Sequence, residues 1–240
     1  SGILSIITFL ILLFPPTLPI IIIIHIILFY ILYVNVYMRV LELFKGSGSI
    51  TNYYKDRDDV EVISLDFDNK YNPTICCDIM EFDYKQYPVN HFDIIWSSPE
   101  CKIFSTLQYT HIGRKWDNKE HLIEEQKKHI KYMIKTIEII EYLKPTYYYI
   151  ENPNKSMIWN YISDYDISKK YIICDYCKFG YSYRKRTKIL TNRKLDNIIC
   201  NKKSHEINMG MYKKGQKGTY PIKLTDRYSI PQRLLTYLLD

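Results

Sequence analysis

The chain has 240 residues, with 33 Lys and Arg against 26 Asp and Glu, a formal charge of +7, and 47% hydrophobic residues with only 8 glycines. That length suits one medium domain of about 150–200 residues with a small appendage, and the apolar and aromatic content excludes an intrinsically disordered chain. Residues 1–38 contain no Asp, Glu, Lys or Arg, so the whole charge lies on Arg39 to Asp240.

The first segment, residues 1–37, is a hydrophobic leader running through Ile20 to Ile24 and His25-Ile26-Ile27-Leu28-Phe29-Tyr30. An uncharged apolar stretch well beyond about 18 residues reads as membrane-spanning, and Pro15, Pro16 and Pro19 would kink it. The alternative is non-native upstream translation, because Met38 stands where a soluble chain could begin. The expected location is accordingly cytoplasmic or intracellular, with membrane anchoring only if the leader is genuine.

Beyond it, Val40 to Phe44, Val60 to Leu65, Phe92 to Trp96, Thr146 to Ile150, Tyr171 to Cys174 and Lys188 to Thr191 have the length and β-branched or aromatic content of strands. Ile75-Cys76-Cys77 is a further short strand signal. Lys119 to Leu143 reads as one long helix, with Ile130, Ile134, Ile137 and Tyr142 as its apolar stripe. Strands alternating with helices predict an α/β fold with a doubly wound, mostly parallel sheet. The six cysteines all fall in this part and suit a reducing compartment better than a disulfide framework.

Chemistry-bearing residues cluster at strand ends. Leu43-Phe44-Lys45-Gly46-Ser47-Gly48 turns a strand into a Gly-x-Gly loop, which brings backbone against a nucleotide-like ligand. About twenty residues on, Asp66 closes a second strand where a ribose diol would be held. Cys101 follows a central strand and is flanked by Glu100 and Lys102, a poor setting for a core cysteine. Glu151, in Ile150-Glu151-Asn152-Pro153, ends another strand, and Tyr183-Arg184-Lys185-Arg186-Thr187-Lys188 is a basic cluster entering a strand.

In order and approximate spacing these motifs resemble the cytosine-5 DNA methyltransferases, especially their short phage-type and viral members, over about residues 38–240. The resemblance implies a Rossmann-like S-adenosylmethionine-dependent methyltransferase fold: a catalytic core at 38–192, a short basic target-recognition insert at 193–220, and a return to the core at 221–240. It implies transfer of methyl from S-adenosylmethionine to C5 of cytosine through a cysteine adduct at C6, on duplex DNA with the target base flipped out. Cys101 matches the nucleophile, Glu151 the catalytic acid, and Arg186 with Lys188 the basic pair beside the base. Phe44, Gly46, Gly48, Asp66, Asp78, Ile79 and Pro99 match the cofactor site. Arg114, on a candidate lid around His111 to Trp116, and Arg184, Lys202, Lys203, Lys213 and Lys214 are expected to contact DNA.

The chain departs from the family pattern at Glu100, where the family has Pro, which puts a negative charge beside the nucleophile. RNA cytosine methylation by the same chemistry is an alternative, as is an inactive nucleic-acid-binding or membrane-tethered homologue. A zinc knuckle of Cys174, Cys177, Cys200 and His205 is weighed and set aside, since Cys174 and Cys177 would face opposite ways on one strand and the second half lacks a tight Cys-x-x-Cys. No metal and a monomer are expected.

Overall fold

The computed structural model describes residues 38–202, 205 and 227–240. The leader, Lys203, Lys213, Lys214 and most of the expected recognition segment lie outside the described residues. Seven strands form one sheet: β1 (Met38–Leu43), β2 (Val60–Asp66), β3 (Ile75–Cys76), β4 (Ile94–Ser97), β5 (Tyr147–Pro153), β6 (Tyr171–Asp175) and β7 (Arg186–Thr191). Their order across the sheet is β3-β2-β1-β4-β5-β7-β6. The first five strands pair in parallel, while β7 runs antiparallel to both β5 and β6. The main helices are α1 (Ser49–Tyr54), α2 (Lys119–Leu143), α3 (Ile158–Tyr161) and α4 (Gln232–Leu239).

Central strands are covered on both faces, which is why they are continuous apolar runs rather than alternating ones. Leu41, Leu43, Ile95, Ile150 and Leu190 pack with α2 on one face. Val40, Ile94, Trp96, Tyr149, Ile172 and Ile189 pack with α1 and α4 on the other. Helix α2 begins at Asn118, whose side chain accepts the His121 N–H at 2.8 Å, and ends at Lys144 in a left-handed conformation. Its buried stripe runs Leu122, Gln126, Ile130, Met133, Ile137, Ile140. Ile134 and Tyr142, expected on that stripe, are only half-buried beside it.

Strand order reverses between β1 and β4: the chain leaves β1 toward β2 and β3, then returns to β4 on the other side. Loops leaving the carboxyl ends of those two strands diverge and open a crevice, the place where α/β sheets bind ligands. The Phe44–Gly48 and Ser98–Cys101 loops are those two loops. Among the described residues no helix is long and apolar enough to cross a membrane.

Candidate active site

A cavity of about 710 Å³ lies in this crevice. One wall is the first loop, with Phe44, Lys45, Gly46 and Ser47; the other carries Pro99, Cys101, Glu151 and Lys185; Tyr71 and Tyr228 stand at its mouth.

The glycine loop is held from three directions. Phe44, Gly46 and Gly48 all have positive φ (57°, 48° and 68°), so the chain curls back on itself within five residues. A side chain at Gly48 would meet Lys45 Cε at 3.2 Å. Asp66 accepts the Gly46 N–H at 2.9 Å and the Asp68 N–H at 2.9 Å, so it braces the loop and does not line the cavity. From below, buried Glu42 accepts the N–H groups of Ile50 and Thr51 at 3.0 and 3.1 Å and the Thr51 hydroxyl at 2.5 Å, capping α1 with a carboxylate. Burial pushes the Glu42 carboxyl up, against the lowering effect of these hydrogen bonds.

Cys101 sits half-buried across the cavity. Its loop is fixed by Asn152, whose side-chain N–H donates to the Pro99 carbonyl at 2.9 Å. The second half of the Glu-Asn pair on β5 therefore positions the segment leading to the thiol. Glu151 faces the cavity, accepts the Tyr176 hydroxyl at 3.2 Å and pairs with Lys185 at 3.5 Å, the two side chains being 10% and 12% exposed. Burial raises the Cys101 thiol above its ordinary range, Glu151 adds to this, and Lys185 partly opposes it. Glu100 also lines the cavity, and its carboxylate reaches the His129 ring on α2 at 3.1 Å.

The basic pair expected beside the base is corrected by the phase of β7. Arg186 makes a bidentate pair with the buried Asp175 at 2.9 and 2.7 Å, and Lys188 lies over the rings of Tyr171 and Trp159 at 4.1 and 5.0 Å. Strand side chains alternate between faces. Opposite Glu151 in the ladder is Ile189, so Thr187 and Lys185 share its face while Arg186 and Lys188 take the other. Lys185 is thus the cavity-lining cation paired with Glu151, a residue the sequence reading passed over.

Other expected positions are distributed differently. Ile79 is buried with Phe82 in the core, and neither it nor Asp78 lines the cavity; Asp78 accepts the Met80 N–H instead. The expected lid is docked. Trp116 is buried and donates to Gln108, Gln108 donates to the Lys102 carbonyl, and Gln126 of α2 donates to Ile103. Arg114 is exposed at the tip of that loop. Arg184 is exposed and donates to the Lys202 carbonyl at 3.5 Å.

The chain has a relative among known proteins. It is 30% identical to the "Probable DNA (cytosine-5)-methyltransferase" of Frog virus 3 (isolate Goorha), over 223 residues that take in 85% of this chain and 99% of that one. The chain belongs to the DNA (cytosine-5)-methyltransferase family. No protein-family profile matches it. Among solved structures it is similar to the Entamoeba histolytica methyltransferase EhMeth (17% identity, TM-score 0.46, 67% of this chain) and to the S. pombe Dnmt2 methyltransferase (16%, 0.45, 66%). The chain spans 56% and 53% of the length of those two structures.

Proposed function

We propose that this member of the family transfers a methyl group from S-adenosylmethionine to C5 of cytosine in DNA, with Cys101 as nucleophile. The observation that carries the reading is convergence: Cys101, Glu151 and Lys185 line one cavity with the left-handed Phe44–Gly48 loop. A cavity near 700 Å³ is within the range of about 300–1,000 Å³ usual for small-ligand sites. The curled backbone of Phe44 and Gly46 offers close approach to a nucleoside, so the site fits the methyl donor. Phe44, Gly46 and Ser47 would hold it, with Tyr71 and Tyr228 offering ring faces at the mouth. When bound, S-adenosylmethionine supplies an electrophilic methyl on sulfonium.

The protein's own residues do the rest. Cytosine C5 is a weak nucleophile, so the Cys101 thiolate adds to C6, forming an S–C6 bond and moving an electron pair toward C5. The charge that spreads toward N3 is met by Glu151 as hydrogen-bond or proton donor. Tyr176 and Lys185 orient the Glu151 carboxyl. Once C5 carries the methyl, solvent water takes its proton, the C–H electron pair re-forms the C5–C6 double bond, any proton given to N3 returns to Glu151, and the Cys101 thiolate departs. The target atom is out of reach in a stacked duplex, so the base enters flipped. The basic stretch 193–220 and the exposed Arg114 and Arg184 would supply phosphate contacts.

The test is incubation with labelled S-adenosylmethionine and either duplex DNA containing 5-fluorocytosine or RNA of the same sequence, where fluorine blocks loss of the C5 substituent and traps the adduct. A Cys101-dependent adduct with DNA is expected. An adduct with RNA alone moves the substrate assignment to RNA, and none with either polymer, while S-adenosylmethionine binds, refutes the enzymatic reading.

A further inference from the structure

A second constellation lies outside the cleft, beyond the far edge of the sheet. Cys177, in the turn that follows β6, meets Cys200 and His205 from the segment after Thr191. Their ligand atoms all lie within 4.8 Å of one another, with His205 Nε2 3.2 Å from Cys177 Sγ and 3.5 Å from Cys200 Sγ. We propose that Cys177, Cys200 and His205 bind a zinc ion that ties the base of the 193–220 segment to the sheet.

Three features of the cluster suit zinc. The first is geometric: Zn–S bonds of about 2.3 Å and Zn–N bonds of about 2.0–2.1 Å at tetrahedral angles place S and N about 3.6 Å apart, which matches the 3.5 Å separation and asks the 3.2 Å one to open slightly. The second is chemical: two thiolates and an imidazole are soft and borderline donors, suited to zinc and poorly suited to magnesium or calcium. The third is the support behind the donors. Asp175 accepts the Cys200 N–H at 2.7 Å while Arg186 clamps the same carboxylate, and Ile198 exchanges backbone hydrogen bonds with Ile173 and Asp175 at 2.9 Å in a parallel bridge alongside β6. The Cys200 backbone is therefore held before any ion arrives, as outer-shell partners hold metal ligands elsewhere.

Cys174, the fourth member of the knuckle considered from sequence, is excluded. It is buried on the β6 face that packs against Ile189 and Tyr149, and it is not in the cluster. A solvent or oxygen ligand would take the fourth vertex. The site stands independently of the methyltransferase reading, but its position matters to it, because Lys202 lies between two of the ligands and Arg184 donates to its carbonyl.

The test uses the full chain, purified in reductant without chelator. Elemental analysis should find one zinc per chain. After zinc removal, added Co²⁺ should produce thiolate-to-cobalt absorption in the near ultraviolet and the visible bands of tetrahedral cobalt, and Zn²⁺ should bleach both. In the unmutated chain, zinc should protect Cys177 and Cys200 from maleimide labelling, mapped by mass, while the exposed Cys76 labels equally with and without it. Cys177→Ser and His205→Ala should lose the cobalt bands. The proposal is overturned if the fully reduced, zinc-free chain gives no cobalt bands, if labelling of Cys177 and Cys200 is the same with and without zinc, or if the two thiols are joined as a disulfide under the same reducing conditions. None of these readouts depends on methyl transfer.

Discussion

Lys185 and Arg186 are neighbours in sequence and sit on opposite faces of the sheet, so substituting each should disturb a different property. Lys185→Gln removes the cation paired with Glu151 near Cys101, and should lower kcat/KM about tenfold to a hundredfold, the worth of one charge-assisted contact. Arg186→Gln instead strands the carboxylate of Asp175, which is 0% exposed, and should cost about 2 kcal/mol. That figure is below the usual 3–5 for a buried pair because Arg186 is partly solvated and the Cys200 N–H remains. Urea unfolding and steady-state kinetics on both variants separate the two roles. Cys101 gives a pH signature. Its thiol is raised, first by burial and then by Glu151, so its thiolate population, and its alkylation by iodoacetamide, should keep rising beyond the ordinary cysteine range near pH 8.5. Glu151→Gln should move that rise to lower pH and Lys185→Gln to higher pH. Asp175 has the opposite sign. Burial would raise it, but the Arg186 and Cys200 hydrogen bonds outweigh this and hold it low. Its contribution is therefore present above the ordinary carboxyl range and is lost as pH falls through the lowered value, a loss that Asp175→Asn should remove from an acid-unfolding curve.

At the scale of elements, the glycine loop and α1 depend on one buried acid. Glu42→Ala would leave the N–H groups of Ile50 and Thr51 without partners and should cost about 2–3 kcal/mol. Calorimetry should show weakened S-adenosylmethionine binding as well, because the loop and α1 share that anchor. The elements themselves were legible. The expected strands and α2 are all observed, with ends within about two residues for most, because buried parallel strands must be apolar throughout and α2 carries a stripe at helical spacing. The phase of β7 was not legible. Tyr183-Arg184-Lys185-Arg186-Thr187-Lys188 has basic residues in both registers, and only pairing with Glu151 and Asp175 decides which of them faces the cleft. Glu42 was missed although an acid inside a buried apolar strand is a visible signal. Tyr71 and Tyr228 carried none, since nothing local joins positions so far apart in the chain.

For the molecule as a whole, the +7 charge favours polyanion binding. Affinity for duplex DNA should fall linearly in log–log form with salt, with a slope of about −0.9 per phosphate contacted. Fluorescence anisotropy from low to physiological salt measures it, and a flat dependence would argue against phosphate contact. Lys185 and Arg186 differ in assignment only because a strand reverses its outlook at every residue. A one-residue slip of β7 would move both residues the same way and would also turn Ile189 and Leu190 onto the wrong faces, so the register that brings Lys185 to Glu151 is held by the core as much as by the cleft. The chemistry of the cleft is thus guarded from behind the sheet, where apolar packing decides which basic residue the acid meets.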